Sequence, residues 1–397
     1  MKKVGIVSCY FQHNYGSMLQ AYATQMALDN MGIDNETINI EGFAGEIKKA
    51  KIKYFIKASL TSKILFTKFG MAKNVAIKKF SKGNYAAKSK IRNNRFIQFS
   101  KREFKLSEQY NSKKELASLT SQKYSAVLVG SDQLWLPGNI AADYYTLNFV
   151  PENTNTIAYS TSFGQASLPK DSARKAAKFL RKIKHIGVRE ESGQKLVKKL
   201  TGRDVPIVCD PTLLFSGEEW NKIQDSKPLI DEPYILCYFL GNNPLHRDFA
   251  KRLKQETGCK IVALVHLDEY VKCDEQYADE SPYDIDPSDF LNLIKNSEYV
   301  CTDSFHCTLF SILYNKIFFT FRRYNNNSIQ STNSRLDTLF KLTDISNRLM
   351  NGDENIKYCL NREVDFEHAN LLLDKVRENS YEYLKKALSD EGSTDLC

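Results

Sequence analysis

Val4-Gly5-Ile6-Val7-Ser8-Cys9-Tyr10 is an apolar run, and His13-Asn14-Tyr15-Gly16 after it is a polar turn. Residues 17–31 then carry Met18, Leu19, Tyr22, Met26 and Leu28 at nearly helical spacing, with Ser17 as a candidate N-cap and Gly32 as a stop. The stretch predicts a strand, a short turn and a helix, which is one βα unit. The same style recurs along the chain. Apolar runs stand at 126–129, 156–159, 185–188 and 207–209, and again at 234–240, 260–265, 299–301 and 317–321. Helical stretches separate most of them, so the pattern predicts buried parallel strands with helical crossovers, an α/β fold.

At 397 residues the chain exceeds what a single core usually holds, about 250–300 residues. The strand series breaks at 216–232, which is polar and contains Pro228. We therefore expect an N-terminal Rossmann-like domain over 1–215 and a C-terminal one over 216–365. Residues 366–397, mostly one long helix near 366–388, are free to pack back on the first domain.

Charge is distributed unevenly. The chain has 56 Lys plus Arg against 47 Asp plus Glu, a net of +9, but 17 of the basic residues and no acidic one fall in 47–102. Outside that insert 39 basic residues face 47 acidic ones. A uniformly basic nucleic-acid binder is therefore not expected. Within the insert, Ile52, Phe55, Ile56, Leu60, Ile64, Leu65, Phe66 and Phe69 interleave with Lys51, Lys53, Lys57, Lys63 and Lys68. Two readings stand. One is a solvated helical pair; the other is a basic amphipathic surface on anionic lipid, each cation contributing about 1 kcal/mol. An apolar fraction of 42% excludes wholesale disorder, and no run of 18 apolar residues is present to span a membrane. The first apolar run ends in Gln12, His13 and Asn14 without a small-residue cleavage site, so secretion is not expected. Nine scattered cysteines, none spaced Cys-x-x-Cys, indicate reduced thiols in a cytoplasm, with neither a zinc site nor a disulfide framework.

Candidate chemistry gathers at strand ends. In Cys301-Thr302-Asp303-Ser304-Phe305-His306-Cys307 a strand ending near Thr302 feeds a helix starting near Ser304. His306 then sits in a first helical turn at the carboxyl end of a strand, where unpaired N–H groups and the helix dipole favour an anion. An imidazole beside a bound phosphate is held protonated and can act as an acid; a His that merely caps or packs fits the same spacing. Gly130-Ser131-Asp132 follows the strand at 126–129, and Asp132 is either functional or a turn residue. Arg189 follows the strand at 185–188 and suits a phosphate or carboxylate, or else pairs with Glu190. Asp210 ends the run at 207–209, before Pro211. Arg322, Arg323 and Arg335 follow the last strand and offer more positive charge. Gly-x-Gly-x-x-Gly, Walker, His-Glu-x-x-His and Gly-x-Ser-x-Gly motifs are missing, which removes support for nucleotide, zinc-dependent and serine hydrolysis.

Taken in order, these segments resemble the polysaccharide pyruvyl transferase family. The matching pieces are Asn14-Tyr15-Gly16-Ser17-Met18-Leu19-Gln20, Gly130-Ser131-Asp132-Gln133-Leu134-Trp135, Tyr159-Ser160-Thr161-Ser162-Phe163-Gly164 and Val188-Arg189-Glu190-Glu191-Ser192-Gly193. Asp210-Pro211-Thr212-Leu213-Leu214, Ser304-Phe305-His306 and Asn333-Ser334-Arg335-Leu336 complete the series. The resemblance covers about residues 1–340 and leaves the basic insert unmatched. It implies a GT-B-like architecture with the active site in the interdomain cleft. It implies phosphoenolpyruvate as co-substrate and a sugar hydroxyl pair as acceptor, giving a pyruvate ketal on a surface-glycan precursor such as a capsule or exopolysaccharide unit. It also implies His306 as general acid, Arg189 as a donor ligand, and Asp132 and Asp210 as acids of the cleft. Asn14, Ser131, Ser304 and Phe305 fall in the matched segments as substrate-binding candidates. Many members carry Arg two residues before the catalytic His; Ser304 stands there in this chain, and Arg322, Arg323 and Arg335 are the candidates to supply that charge. No cofactor and no metal is needed for the scheme. A lipid-linked acceptor would put the enzyme on the inner face of a membrane, held there by the insert. The rival reading is a GT-B glycosyltransferase using a nucleotide sugar, which needs an acid for the ribose in the second domain; Glu298 and Asp303 are the candidates.

Overall fold

The computed structural model describes residues 2–59, 84–268, 270–323 and 334–389. The middle of the basic insert, from Leu60 through Phe69 and on to residue 83, and Asn333 lie outside the described residues. The first unit runs β1 (Lys3–Val7), α1 (Tyr15–Asn30), β2 (Asn35–Thr37), α2 (Ala44–Ser59), α3 (Tyr85–Glu103), α4 (Lys113–Lys123), β3 (Tyr124–Asp132), α5 (Pro137–Ala142), β4 (Asn155–Thr161), α6 (Lys170–Lys182), β5 (His185–Val188) and α7 (Glu191–Thr201). The second runs α8 (Gly217–Trp220), β6 (Tyr234–Tyr238), α9 (Pro244–Thr257), β7 (Lys260–Ala263), α10 (Pro287–Asn296), β8 (Tyr299–Thr302), α11 (Phe305–Leu313), β9 (Ile317–Phe321), α12 (Ser334–Thr343), β10 (Leu349–Met350), α13 (Ile356–Leu360) and α14 (Phe366–Ser389).

Each unit is one parallel five-stranded sheet, in the orders β2-β1-β3-β4-β5 and β7-β6-β8-β9-β10. The two orders are the same when each unit is counted from its own first strand. In both, the chain reverses its direction of travel between the first and third strands, and the C-terminal edge of that crevice is where such sheets collect ligands. The central strands are apolar on both faces, as covered parallel strands must be: Ile6, Val7, Val127, Leu128, Val129 and Ile157 are fully buried. Residues 207–209 were expected as a full strand; they form only an isolated bridge, Ile207 beside Val188. The edge strands β2 and β10 are three and two residues long, too short to register as a pattern.

Helix α1 is buried around most of its circumference, from Tyr15 to Leu28. It lies between the first sheet and the second unit. Tyr15 stacks on Phe290 of α10 at 4.6 Å and meets the Tyr238 ring at 5.6 Å, while its hydroxyl donates to the Ile285 carbonyl at 3.3 Å. The cap of this helix is Asn14, whose Oδ1 accepts from Ser17 N at 3.1 Å, and not Ser17 as the spacing alone suggested. Helix α14 follows the second sheet in sequence yet packs on the first: Asn155 Nδ2 donates to the Ala387 carbonyl at 2.7 Å and Tyr383 OH to the Ala158 carbonyl at 3.0 Å. Among the described residues no helix is long and apolar enough to cross a membrane.

The insert is partly a bridge between the units. From α3, Arg92 donates to the carbonyls of Val265, Pro282 and Tyr283 at 3.0–3.3 Å. Arg95 reaches the Asp284 carbonyl at 3.0 Å and Asp289 Oδ2 at 2.5 Å, and Arg102 reaches Ser288 Oγ at 2.9 Å. Arg95 and Arg102 both lie 3.6 Å from Asp286, the cap of α10. Three of the insert's cations thus answer an acidic segment of the second unit. Because Arg95 is partly exposed, Arg95→Ala should cost about 1 kcal/mol in urea denaturation, less at high salt; an unchanged midpoint would remove it from the interface.

Candidate active site

The C-terminal edges of β1, β3, β6 and β8 converge on a cavity of about 400 Å³. Asn14 and Ser304, the caps of α1 and α11, both line it. Two helix N-termini, one from each unit, therefore border one space, an arrangement suited to an anion.

His306 stands in the first turn of α11 and its ring crosses to the first unit. The crossing is possible because residue 16 is glycine: a Cβ there would lie 2.1 Å from His306 Nδ1 and 2.4 Å from its Cγ. The other ring nitrogen, Nε2, faces Asp210 Oδ2 at 3.5 Å. At that separation the hydrogen bond is not closed, and Nε2 is buried without a hydrogen-bond partner among the described residues.

Behind His306 lies a buried charge cluster. Arg189 Nη1 donates to Asp210 Oδ2 at 2.7 Å and Nη2 to Asp132 Oδ1 at 3.3 Å, while Nε faces Glu190 Oε2 at 3.6 Å. Each carboxylate has a second tether. Thr212 donates to Asp210 Oδ1 from Oγ1 at 2.7 Å, Ser17 Oγ to Asp132 Oδ2 at 2.8 Å, and Ser162 Oγ to Glu190 Oε1 at 2.5 Å. Burial works against ionisation of Asp210, but His306, Arg189 and the Thr212 hydrogen bond outweigh it and hold the carboxyl well below its ordinary range. Asp132 is likewise held low: burial opposes, and Arg189, His306, Arg335 and Ser17 prevail. Burial also opposes the charge on Arg189, yet Asp132, Asp210 and Glu190 raise its pKa above the usual value.

Arg335 lies 3.8 Å from Asp132 Oδ1, and its guanidinium lies over the Phe305 ring at 5.5 Å, as that of Arg189 does at 5.0 Å. Burial, reinforced by the like charge of Arg189, brings its pKa down to about 10, which leaves it cationic at neutral pH. Arg323 Nη2 donates to the Asp303 carbonyl at 3.1 Å, and its Nε is buried without a hydrogen-bond partner among the described residues.

The candidates from the sequence separate into two groups. Asn14, Asp132, Ser304, Phe305, His306, Arg323 and Arg335 line the cavity. Arg189, Asp210 and Ser131 stand behind its wall, and Ser131 Oγ donates to the Ser160 carbonyl at 2.8 Å. Arg322 turns away to pair with Asp337 at 2.7 Å. Sequence reasoning missed the roles of Gly16, Ser17 and Glu190, though each lies inside a matched segment, and missed Lys51 and Phe55, which enter the cavity wall from α2. The acids proposed for a ribose are placed poorly for it. Asp303 accepts from the N–H groups of Leu240 and Gly241 at 2.6 and 2.9 Å, and exposed Glu298 precedes β8, at the end of the strand opposite the cavity.

A family model described as polysaccharide pyruvyl transferase matches residues 14–325, a span that contains most of this wall. The chain belongs to the polysaccharide pyruvyl transferase family. It is thus an enzyme of a transferase family that acts in polysaccharide biosynthesis. No curated protein matches it at a significant level. Among solved structures this pyruvyl transferase is similar to a UDP-N-acetylglucosamine 2-epimerase from Rickettsia bellii, with a TM-score of 0.52 at 11% identity over 97% of this chain and 98% of that one. It is also similar to the UDP-GlcNAc 2-epimerase of Methanocaldococcus jannaschii, with a TM-score of 0.50 at 13% identity over 98% and 99%. At such identity the likeness speaks to fold alone, and the fold is the GT-B type expected from the sequence.

Gly16→Ala tests the crossing of His306. Alanine favours a helix over glycine by about 1 kcal/mol, so α1 should form as before, while the added methyl drives the imidazole off Asp210. A displacement of this size should lower turnover about 100-fold, with the far-UV dichroism of the wild type. Wild-type turnover in this variant would show that the ring position does not matter.

Proposed function

We propose that the enzyme moves the pyruvyl group of phosphoenolpyruvate onto two hydroxyls of a sugar in a surface-polysaccharide precursor, forming a ketal and releasing phosphate. The observation that carries this reading is the His306–Asp210 contact at the mouth of two helix N-termini, in a cavity lined with cations. Division of the chain at 215/216 into two Rossmann-like domains, with 366–397 returning to the first, belongs to the same reading.

The chemistry follows from the donor. An enol phosphate becomes electrophilic at carbon 2 when its methylene carbon takes a proton, and His306 is the acid placed to give it. Ionised Asp210 behind the ring orients it and balances its charge; Arg189 positions Asp210 and Asp132 in turn. Asp132 is the one carboxylate on the cavity wall among the described residues, and it receives the proton of the attacking hydroxyl. Carbon–oxygen cleavage then releases phosphate, which takes the proton held by Asp132, and the second hydroxyl closes the ketal and returns its proton to His306. Arg323, Arg335 and the helix N-termini hold the carboxylate and phosphate of the donor. Phe305 holds the Arg335 guanidinium over its ring, and Asn14 and Ser304 hold the two helix starts open to the cavity.

Wild-type enzyme with phosphoenolpyruvate and a glycan acceptor should release phosphate and give a product heavier by one pyruvyl unit in mass spectrometry. His306→Ala should lose about 100- to 10,000-fold of that rate. Equal rates in the two proteins would take His306 out of the mechanism.

A lipid-linked acceptor and attachment to an anionic membrane face extend the reading. They are supported by α2, where Lys48, Lys49 and Lys53 are exposed beside Ile52, itself 48% exposed. Sedimentation with vesicles containing an anionic phospholipid should fall as salt rises. Equal binding to neutral vesicles would overturn the electrostatic attachment.

A further inference from the structure

We infer that Lys51, from the basic insert, is a donor-binding residue of the cavity and supplies the cation that Ser304 does not. The inference rests on the donor assignment above and adds a residue that lies in none of the seven short segments on which the resemblance was read. Lys51 lies on α2 and lines the same cavity as His306, Ser304 and Arg335. Its neighbour one turn on, Phe55, lines the cavity too and packs on Gly138 of α5, where a Cβ would meet the ring at 3.2 Å. That contact fixes α2 against the first unit and sets the direction of the lysine.

Lys51 differs from the other cations of its helix. Lys48, Lys49 and Lys53 are exposed, whereas Lys51 is half-buried. Its ammonium lies 5.9 Å from the Tyr145 ring centroid, and no carboxylate stands within salt-bridge distance among the described residues. Arg323 and Arg335, by contrast, already face Asp303 and Asp132. A half-buried ammonium without an acid is disfavoured, and burial lowers its pKa. A bound anion relieves that cost, so the cavity is electrostatically complete only when an anion is present. The nearby Cys9 is no substitute partner, because burial raises its thiol pKa and keeps it protonated at neutral pH. The ligand is therefore an anionic group, carboxylate or phosphate, and the donor carries both.

The acceptor's diphosphate is the other source of such an anion, and kinetics separate the two. In Lys51→Ala the KM for phosphoenolpyruvate should rise about 10- to 100-fold, the range of a charge-assisted hydrogen bond, with the acceptor KM unchanged. Lys51→Arg should recover most of the loss, and Lys178→Ala, which removes the same charge from an exposed position on α6, should leave both constants as in the wild type. A rise in the acceptor KM alone, or an unchanged donor KM, overturns the inference. Calorimetric titration of inorganic phosphate into the same proteins separates this inference from the reaction itself. Phosphate binding that weakens in Lys51→Ala but not in Lys178→Ala upholds the cation site even if phosphoenolpyruvate is never turned over, an outcome that sinks pyruvyl transfer instead. Equal phosphate binding in all four proteins sinks the cation site even where transfer is observed.

Discussion

One buried guanidinium sets the terms for the rest of the site. Arg189 follows β5, and it gathers Asp132 from the end of β3, Glu190 from its own loop and Asp210 from the segment after the 207 bridge. Three carboxylates taken from water around one cation are tolerable only because each has a further hydrogen bond and because His306 and Arg335 approach from the second unit. Removing one partner from such a cluster typically costs about 3–5 kcal/mol, since the remaining charges are left uncompensated. The cluster is thus complete only when the two units are apposed. The geometry of the cluster and the packing of the two units become one requirement.

The shared strand order explains why the site lies where it does. Each sheet opens its crevice between its first and third strands, and each sends a helix N-terminus out of it. Stacking Tyr15 on Phe290 sets α1 against α10, which turns the two crevices toward each other. Gly16 then lets the His306 ring cross at van der Waals range. A glycine inside a helix is normally a loss of about 1 kcal/mol; here it leaves the space that the His306 ring occupies.

The strand-end rule made much of this readable from sequence. Asp132, Arg189, Asp210 and His306 were each found as a polar residue at the end of an apolar run, and all four fall in one cluster. What the rule does not give is which way each side chain turns. Arg189 has three acids within reach and faces them, so it stands behind the cavity; Arg322, one residue from Arg323, leans to Asp337 because successive residues beyond a strand point to opposite sides. Ser17 read as a cap because it precedes the apolar periodicity, yet Asn14 holds the first turn and frees the Ser17 hydroxyl for Asp132. Short edge strands have too few residues to show alternation, and a local bridge such as Ile207 with Val188 leaves no pattern beyond a few apolar letters.

The insert was the least legible part, because a run of like charges reads the same whatever it faces. Folding divides it by neighbour. Arg92, Arg95 and Arg102 meet carbonyls and carboxylates of the second unit, Lys48, Lys49 and Lys53 meet solvent, and Lys51 meets the cavity. Helical phase accounts for positions 49 and 53, which lie about 160° around α2 from position 51, whereas Lys48 shares the side of Lys51 and is exposed all the same. A net charge of +9 therefore describes no single property of this enzyme. Among the described residues the insert contributes a clamp between the two units, a solvated face and a cavity-wall cation, and each acts through the few ångströms around it, where neighbouring acids and not the total decide its effect.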